Sequence, residues 1–156
     1  MTDINTLRRI LTDYKRIAIV GLSADSSRPS NSVARYLLDH RFEVIPVNPN
    51  FDEILGQKCY PDLASIPTPV DIVDVFRRVE HIPQLVDDAI TISARVVWMQ
   101  LGIVHEEAAQ KARDAGLEVV MDRCIKIEHA RLFGNLNTTG VDTGLISARR
   151  SSDSNR

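Results

Sequence analysis

The pattern of apolar residues in this 156-residue chain predicts an α/β fold with a five-stranded parallel sheet. Five short runs rich in β-branched residues are apolar almost throughout, as expected of strands covered on both faces. Segments with apolar residues at helical spacing separate these runs, so strand and helix alternate along the chain. This alternation predicts a Rossmann-like, doubly wound sheet with helices on both faces. Counting the runs along the chain, we predict the strand order 3-2-1-4-5.

The predicted strands determine where a ligand is expected. They cover residues 17–20, 44–47, 72–76, 96–101 and 118–121. Pro46 cannot donate to a strand ladder, so we expect an irregular or edge-like pairing in the second strand. In a doubly wound sheet, ligands bind beyond the carboxyl ends of the strands where the order reverses, here between the first and fourth strands. The candidate residues therefore follow Val20, Val47, Phe76 and Leu101.

Helical periodicity predicts five helices, around residues 7–14, 33–38, 82–89, 105–115 and 125–132. Gly116 is a suitable stop for the fourth helix. Residues 48–70 are rich in Pro, Asn and Asp, and there we predict only a short helical piece near residues 62–65. These elements form one predicted domain, residues 1–133. The tail, residues 134–156, is rich in small and polar residues and is predicted to be disordered.

Composition argues against several classes of protein. A net charge of −2 is atypical of a nucleic-acid binder of this size. No apolar run approaches the roughly 20 residues of a membrane span, and residues 1–11 do not resemble a signal peptide. We therefore predict a cytoplasmic protein. The two cysteines lie far apart and the four histidines are scattered, so neither a disulfide scaffold nor a metal-ligand spacing is indicated.

The loop after the first strand, residues 21–32, is a candidate phosphate cradle because a helix follows it directly. Backbone N–H groups at a helix N-terminus are unpaired and favour an anion. Ser30 or Asn31 can cap this helix, and Arg28 adds a permanent positive charge. The alternative is a plain strand-to-helix connection with good caps.

Two features argue against an ordinary NAD site. The dinucleotide fingerprint is absent, since Ser23 and Ser26 stand where its second and third glycines would be. The second strand ends in Asn48-Pro49 without the carboxylate that usually holds the ribose. Asn48 can hydrogen-bond a ribose or an adenine edge, and Pro49 can pack against an adenine ring. The alternative is that these residues form only a turn.

The other strand ends supply further candidates. Phe76 is followed by Arg77 and Arg78, which either meet an anionic ligand or pair with Glu80 in solvent. Gln100 is a polar residue inside an apolar run, and it either caps a backbone group or faces a ligand.

Together these residues resemble the small CoA-binding proteins related to the CoA-binding domain of the succinyl-CoA synthetase α subunit. The resemblance covers residues 5–133 and rests on the order of short motifs at 19–23, 28–30, 47–49, 55–56, 59–63, 73–77, 98–102 and 122–124. It implies a domain that holds CoA, with the pyrophosphate at the loop residues Gly21, Leu22, Ser23, Arg28, Pro29 and Ser30. It also implies that Asn48 and Pro49 border the ribose and adenine. Phe76, Arg77 and Gln100 would then line the opening toward the pantetheine arm.

The sequence shows no convincing catalytic set. Asp71 and Asp74 point to opposite faces of a strand and do not form a carboxylate pair. A cysteine near the CoA thiol could form a mixed disulfide, and the loop position of Cys59 makes it more accessible than Cys124. Nothing in the chain corresponds to the second, histidine-phosphorylated domain of the synthetase, which argues against ligase activity by this chain alone.

We therefore predict a binding module for CoA or an acyl-CoA without catalysis of its own. Two alternatives stay open. One is an NAD(P)-binding oxidoreductase with an atypical phosphate loop, and the other is an interaction subunit without a ligand. The expected partner is a small molecule rather than a nucleic acid or a membrane, and a protein partner stays unidentified.

Overall fold

The predicted β-branched runs form the central sheet of the computed structural model, which describes residues 2–134. The strands in chain order are β1 (Arg16–Val20), β2 (Glu43–Val47), β3 (Glu53–Ile54), β4 (Gln57–Lys58), β5 (Ile72–Val75), β6 (Val96–Met99) and β7 (Glu118–Val120). All but β3 and β4 belong to one parallel five-stranded sheet, in the order β2-β1-β5-β6-β7. Every residue of β5 and β6 is buried, which explains why these strands are apolar except at Asp74.

Helices cover both faces of this sheet and confirm the predicted fold class. They are α1 (Ile4–Asp13), α2 (Pro29–Asp39), α3 (Ile82–Thr91), α4 (Glu106–Asp114) and α5 (Ile125–His129). On one face, buried residues of α1, α2 and α5 pack with Ile17, Ile19 and Trp98 of the sheet. On the other face, α3 and α4 pack with Ala18 and Val20. Successive residues of β1 thus point into two separate cores.

Helix ends follow local signals in the sequence. The Asp3 carboxylate accepts a hydrogen bond from the Thr6 N–H at the start of α1. The imidazole of His105 does the same for the Ala108 N–H of α4, at 3.1 Å. Gly116 has φ +93° just after α4, as predicted for a stop. The helix predicted to reach residue 132 is α-helical only to His129 and continues as a π-helical turn, Ala130–Gly134.

The predicted strand order was wrong in one respect. Counted along the five long strands, the order is 2-1-3-4-5, because β5 lies beside β1 rather than beyond β2. Pro46 explains why β2 is an edge strand. Its carbonyl accepts from the Tyr60 N–H on the outer side, so the N–H that proline lacks would also face outward. The edge-like pairing expected of the second strand is thus confirmed, and toward β1 the register runs regularly through Ile19 and Pro46.

The segment after β2 contains a hairpin that the sequence analysis missed. Strands β3 and β4 pair antiparallel, and both turn residues, Leu55 and Gly56, have positive φ. Tyr60 then pairs with Val47 in a single parallel bridge and covers part of the open edge of β2. The short helical piece is a 3-10 turn, Leu63–Ser65, capped by Asp62.

Three further predictions concern the C-terminal tail, membrane spans and metal sites. The predicted tail lies outside residues 2–134, except for Gly134. Across residues 2–134, no helix has the length and apolar character needed to cross a bilayer. In the same part of the chain, no three His, Cys, Asp or Glu side chains group as a metal site would require.

Candidate functional site

The reversal of strand order lies between β1 and β5, and Gly21 follows β1 at this point. Gly21 has φ +88°, and a Cβ atom there would lie 2.5 Å from the carbonyl oxygen of Phe76. The Phe76 N–H donates to Val20 O at 2.9 Å, so the two strand ends run close together. Glycine is therefore required for the backbone approach as well as for the left-handed conformation.

The predicted phosphate loop is held by its own polar groups. The Ser23 N–H donates to Ser30 Oγ at 3.0 Å, and Asn31 Nδ2 donates to Ser23 O at 2.9 Å. Ser30 and Asn31 are buried and point back into the loop, so neither caps α2 as the sequence analysis suggested. Arg28 stands at the N-cap of α2 without a side-chain capping bond, and its side chain is exposed. Leu22 is fully buried, so its side chain does not reach a ligand from this loop.

Asn48 joins the ends of β1 and β2. Its Nδ2 donates to Leu22 O at 3.0 Å, and its Oδ1 accepts from the Asn50 N–H at 2.9 Å. The side chain is thus already used within the protein, as the turn interpretation predicted. Pro49 is exposed beside it. The structure brings Asn48 next to the first loop but does not place it in the groove described next.

A groove of about 550 Å³ lies at the carboxyl edge of the sheet, between α2 and α5. Four residues predicted from the sequence line it together: Pro29, Phe76, Arg77 and Gln100. The full lining is Pro29, Val33, Phe76, Arg77, Arg78, Gln100, Leu101, Ile103, Cys124 and Ile127. The groove therefore combines apolar walls with two guanidinium groups and one amide, a composition typical of sites for mixed polar and apolar ligands.

Three arginines near this edge form no salt bridge in the part of the chain that the structure describes. Within residues 2–134, Arg28, Arg77 and Arg78 take part in none of the salt bridges. The alternative interpretation, in which Arg77 or Arg78 pairs with Glu80, is therefore not observed. Unpaired guanidinium groups beside a helix N-terminus create a positive potential suited to phosphate.

Gln100 lies at the base of the groove and contacts a buried carboxyl. It is only 4% exposed, and its Nε2 donates to Asp74 Oδ1. Asp74 is fully buried, and its Oδ2 has no hydrogen-bond partner. Burial raises the pKa of this carboxyl from 3.8 to about 8, and the bond from Gln100 opposes that rise.

The accessibility of the two cysteines is the reverse of the prediction. Cys59 is 5% exposed and its Sγ donates to Asn48 O, so it is not the accessible thiol. Burial also raises the pKa of this thiol. Cys124 instead lines the groove. The sequence analysis missed this because it depends on how the loop after β7 docks.

Side chains as well as backbone hydrogen bonds position that loop. The Trp98 indole Nε1 donates to Arg123 O at 2.8 Å, and the Gly102 N–H donates to Asp122 Oδ1 at 2.7 Å. These bonds connect the Trp98–Gly102 motif to the Asp122–Cys124 motif. The Trp-Met-Gln-Leu-Gly and Asp-Arg-Cys signals therefore belong to one structural unit beside the groove.

Comparison with known proteins decides the family. The family model for the CoA binding domain matches residues 15–130, which includes the sheet and every lining residue of the groove. The chain belongs to the CoA-binding domain family. This membership confirms the resemblance recognised in the sequence.

Relatives within the family include both small proteins and parts of larger ones. An uncharacterized protein of Bacillus subtilis, YneT, is 45% identical over 124 residues, covering 80% of this chain and 92% of that protein. A hypothetical protein from Pyrococcus horikoshii has a solved structure with a TM-score of 0.83 and 44% identity, covering 85% of this chain and 94% of that one. The ADP-forming acetate–CoA ligase II of Archaeoglobus fulgidus is 30% identical over 86% of this chain, which spans 20% of the ligase.

Proposed function

We propose that this protein binds coenzyme A, free or acylated, at the carboxyl edge of its sheet and acts as a binding module without catalysis of its own. The observation that carries the proposal is the groove lined by Pro29, Phe76, Arg77 and Gln100. These residues come from three separate segments of the chain. Family membership supplies the ligand class, and the chemistry of the groove is consistent with it.

The groove suits the pantetheine arm of CoA. Its volume of about 550 Å³ lies within the usual range for small-molecule sites. Pro29, Val33 and Ile103 offer apolar contact to the methylene and methyl groups of the arm. Gln100 offers an amide to the polar groups that interrupt it. The thiol or thioester end then lies in the same groove as Cys124.

The phosphates of CoA call for cations and backbone donors. Arg28 at the start of α2 and Arg77 after β5 form no salt bridge within residues 2–134. We assign the pyrophosphate to the loop from Gly21 to Ser30, and Arg28 and Arg77 are the candidates for the 3′-phosphate. Asn48 and Pro49 then border the ribose and adenine, with Asn48 also holding the two loops together.

A separate catalytic role is not part of the proposal. The acetate–CoA ligase named above is about five times longer than the region this chain matches, and its activity belongs to that whole protein. The NAD(P) alternative lacks a carboxylate at the end of β2, where Asn48 is engaged with Leu22 O. A cytoplasmic location, where CoA is used, stays a prediction.

The test is a thermal-shift titration with CoA, acetyl-CoA, NAD and NADP in parallel. A ligand that binds only the folded state raises the melting temperature as its concentration increases. We expect a rise with CoA or acetyl-CoA and none with the nicotinamide dinucleotides. A rise with NAD or NADP alone would favour the oxidoreductase. No rise with any of the four would favour the interaction subunit without a ligand.

A further inference from the structure

The contact between Gln100 and Asp74 joins the groove to the interior of the sheet. In the parallel register of β5 and β6, Asp74 pairs with Trp98. Gln100 lies two residues after Trp98 and therefore points to the same face of the sheet as Asp74. Asp74 has no exposed surface, whereas Gln100 reaches the groove.

This contact determines which end of the Gln100 amide faces the groove. The Nε2 group is used in the bond to Asp74 Oδ1. No donor within residues 2–134 contacts the carbonyl oxygen Oε1, and that oxygen is not among the buried atoms without a partner. Oε1 is therefore the polar atom that Gln100 presents to the groove, where it can accept a hydrogen bond but cannot donate one.

The Asp74 carboxyl has a cost that packing does not recover. A buried polar group without full hydrogen bonding costs about 1–3 kcal/mol, and Asp74 Oδ2 is such a group. The neighbours of Asp74 in the sheet are Ile19 and Trp98, which an apolar side chain would suit better. The hydrogen bond from Gln100 is thus the one interaction within residues 2–134 that this buried carboxyl makes through its side chain.

We propose that Asp74 is a positioning residue, which holds Gln100 so that Oε1 accepts a hydrogen bond from an amide N–H of the pantetheine arm. This inference rests on the proposed function, and it identifies the pantetheine arm as the part of the ligand that Gln100 contacts. It predicts selectivity for ligands whose arm carries amide N–H donors. The nucleotide half of CoA does not contact Gln100 in this arrangement.

The experiment measures binding of CoA and of 3′,5′-ADP, which lacks the arm, by isothermal titration calorimetry. Gln100→Leu removes the acceptor, so we expect CoA to bind about 5- to 10-fold more weakly, as for the loss of one hydrogen bond. Binding of 3′,5′-ADP should not change. Equal losses for both ligands, or no loss for CoA, would overturn the assignment of Gln100.

Variants of Asp74 test the positioning role. Asp74→Asn keeps an oxygen that accepts from Gln100 Nε2, so CoA affinity should be retained. Asp74→Leu releases the amide and should weaken CoA but not 3′,5′-ADP. The double variant Asp74→Leu/Gln100→Leu leaves no unpaired polar group at these two positions. Its loss of CoA affinity should match that of Gln100→Leu alone. Additive losses in the double variant would contradict a role for Asp74 through Gln100.

Binding of 3′,5′-ADP also reports whether each variant is folded. If Asp74→Leu does not fold, Gln100→Leu and the double variant together decide the question. A wild-type protein that binds neither ligand would overturn the proposed function itself. A wild-type protein that binds both, with variants that do not distinguish them, would overturn only this inference.

Discussion

The two edges of the sheet treat their polar groups differently. At the amino edge, the Asp71 carboxylate accepts from the N–H groups of Lys15 and Arg16, at 3.3 and 3.2 Å. Arg16 also pairs with Glu43 at 3.3 Å. At the carboxyl edge, Arg77 has no acidic partner within residues 2–134, and the buried Asp74 has one oxygen without a partner.

Asp71 and Asp74 show this difference in hydrogen bonding within a single segment of the chain. The first lies immediately before β5 and joins β5 to the start of β1. The second lies inside β5 and uses one oxygen to hold a residue of the groove. Asp71 and Arg16 at the amino edge are thus paired within the fold, whereas within residues 2–134 Arg77 and one oxygen of Asp74 at the carboxyl edge are not. This difference supports the proposal that the ligand binds at the carboxyl edge.

The largest expected effect concerns the two cysteines. If the arm of CoA lies in the groove, oxidised CoA should react with Cys124. The thiolate attacks the disulfide of oxidised CoA, forms a mixed disulfide and releases one CoA thiol. Intact-mass measurement should show one added CoA moiety, reversed by reductant. The adduct should persist in Cys59→Ser and disappear in Cys124→Ser, and an adduct on Cys59 would contradict the placement of the arm.

The two glycines at opposite edges provide a stability test. Gly21 and Gly116 both have positive φ, but a Cβ at Gly116 meets nothing within 4 Å, whereas one at Gly21 meets Phe76 O. Gly116→Ala should cost about 1–2 kcal/mol for the backbone conformation alone. Gly21→Ala should cost about 1–3 kcal/mol more, because the strand ends must move apart. Urea unfolding measures both, and equal costs would mean that the close approach is not a constraint.

Asp74 should make stability depend on pH. Its pKa is raised from 3.8 to about 8, so the folded state holds a proton that the unfolded state loses above about pH 4. The free energy of unfolding therefore falls as pH rises from about 4 to about 8, by on the order of a few kcal/mol. Asp74→Asn should remove this part of the slope and be more stable than wild type above pH 8. Identical slopes in the two proteins would show that Asp74 is not a buried, unpaired carboxyl.

The arginines of the two edges should differ in their contribution to CoA affinity. Arg77→Ala should weaken CoA binding about 10- to 100-fold, because a charge-assisted bond to phosphate contributes about 1.5–3 kcal/mol. Arg28→Ala should weaken binding more at low salt than at high salt, since its side chain is exposed. Arg16→Ala, at the amino edge, should leave the affinity unchanged. An equal loss in Arg16→Ala would indicate a nonspecific effect of charge.

The sequence predicted the elements of this fold well because their signals are local. The β-branched runs and the apolar helix faces depend on neighbours within a few residues, and the stop at Gly116 does as well. The strand order, in contrast, is not determined by local signals. It required knowing that the missing N–H of Pro46 faces away from β1, which makes β2 an edge.

The candidate site was predictable in part for the same reason. Residues that directly follow strands, such as Phe76, Arg77 and Gln100, reach the groove wherever their strands lie in a parallel sheet. Asn48 and Asp74 contact groups from other segments of the chain, namely the carbonyl oxygen of Leu22 and the side-chain amide of Gln100, and no spacing in the sequence reveals those contacts. The accessibility of Cys124 was underestimated because the position of this residue depends on the hydrogen bond between the Trp98 indole and the Arg123 carbonyl.

The most direct test of the binding edge is to map backbone amide chemical shifts by NMR while CoA is added. We expect the largest changes in the loop from Gly21 to Ser30, at residues 76–78 and 100–103, and at Cys124. Amides of the amino edge, such as Arg16, Glu43 and Gly116, should not move. Changes concentrated at the amino edge, or none at saturating CoA, would contradict the account.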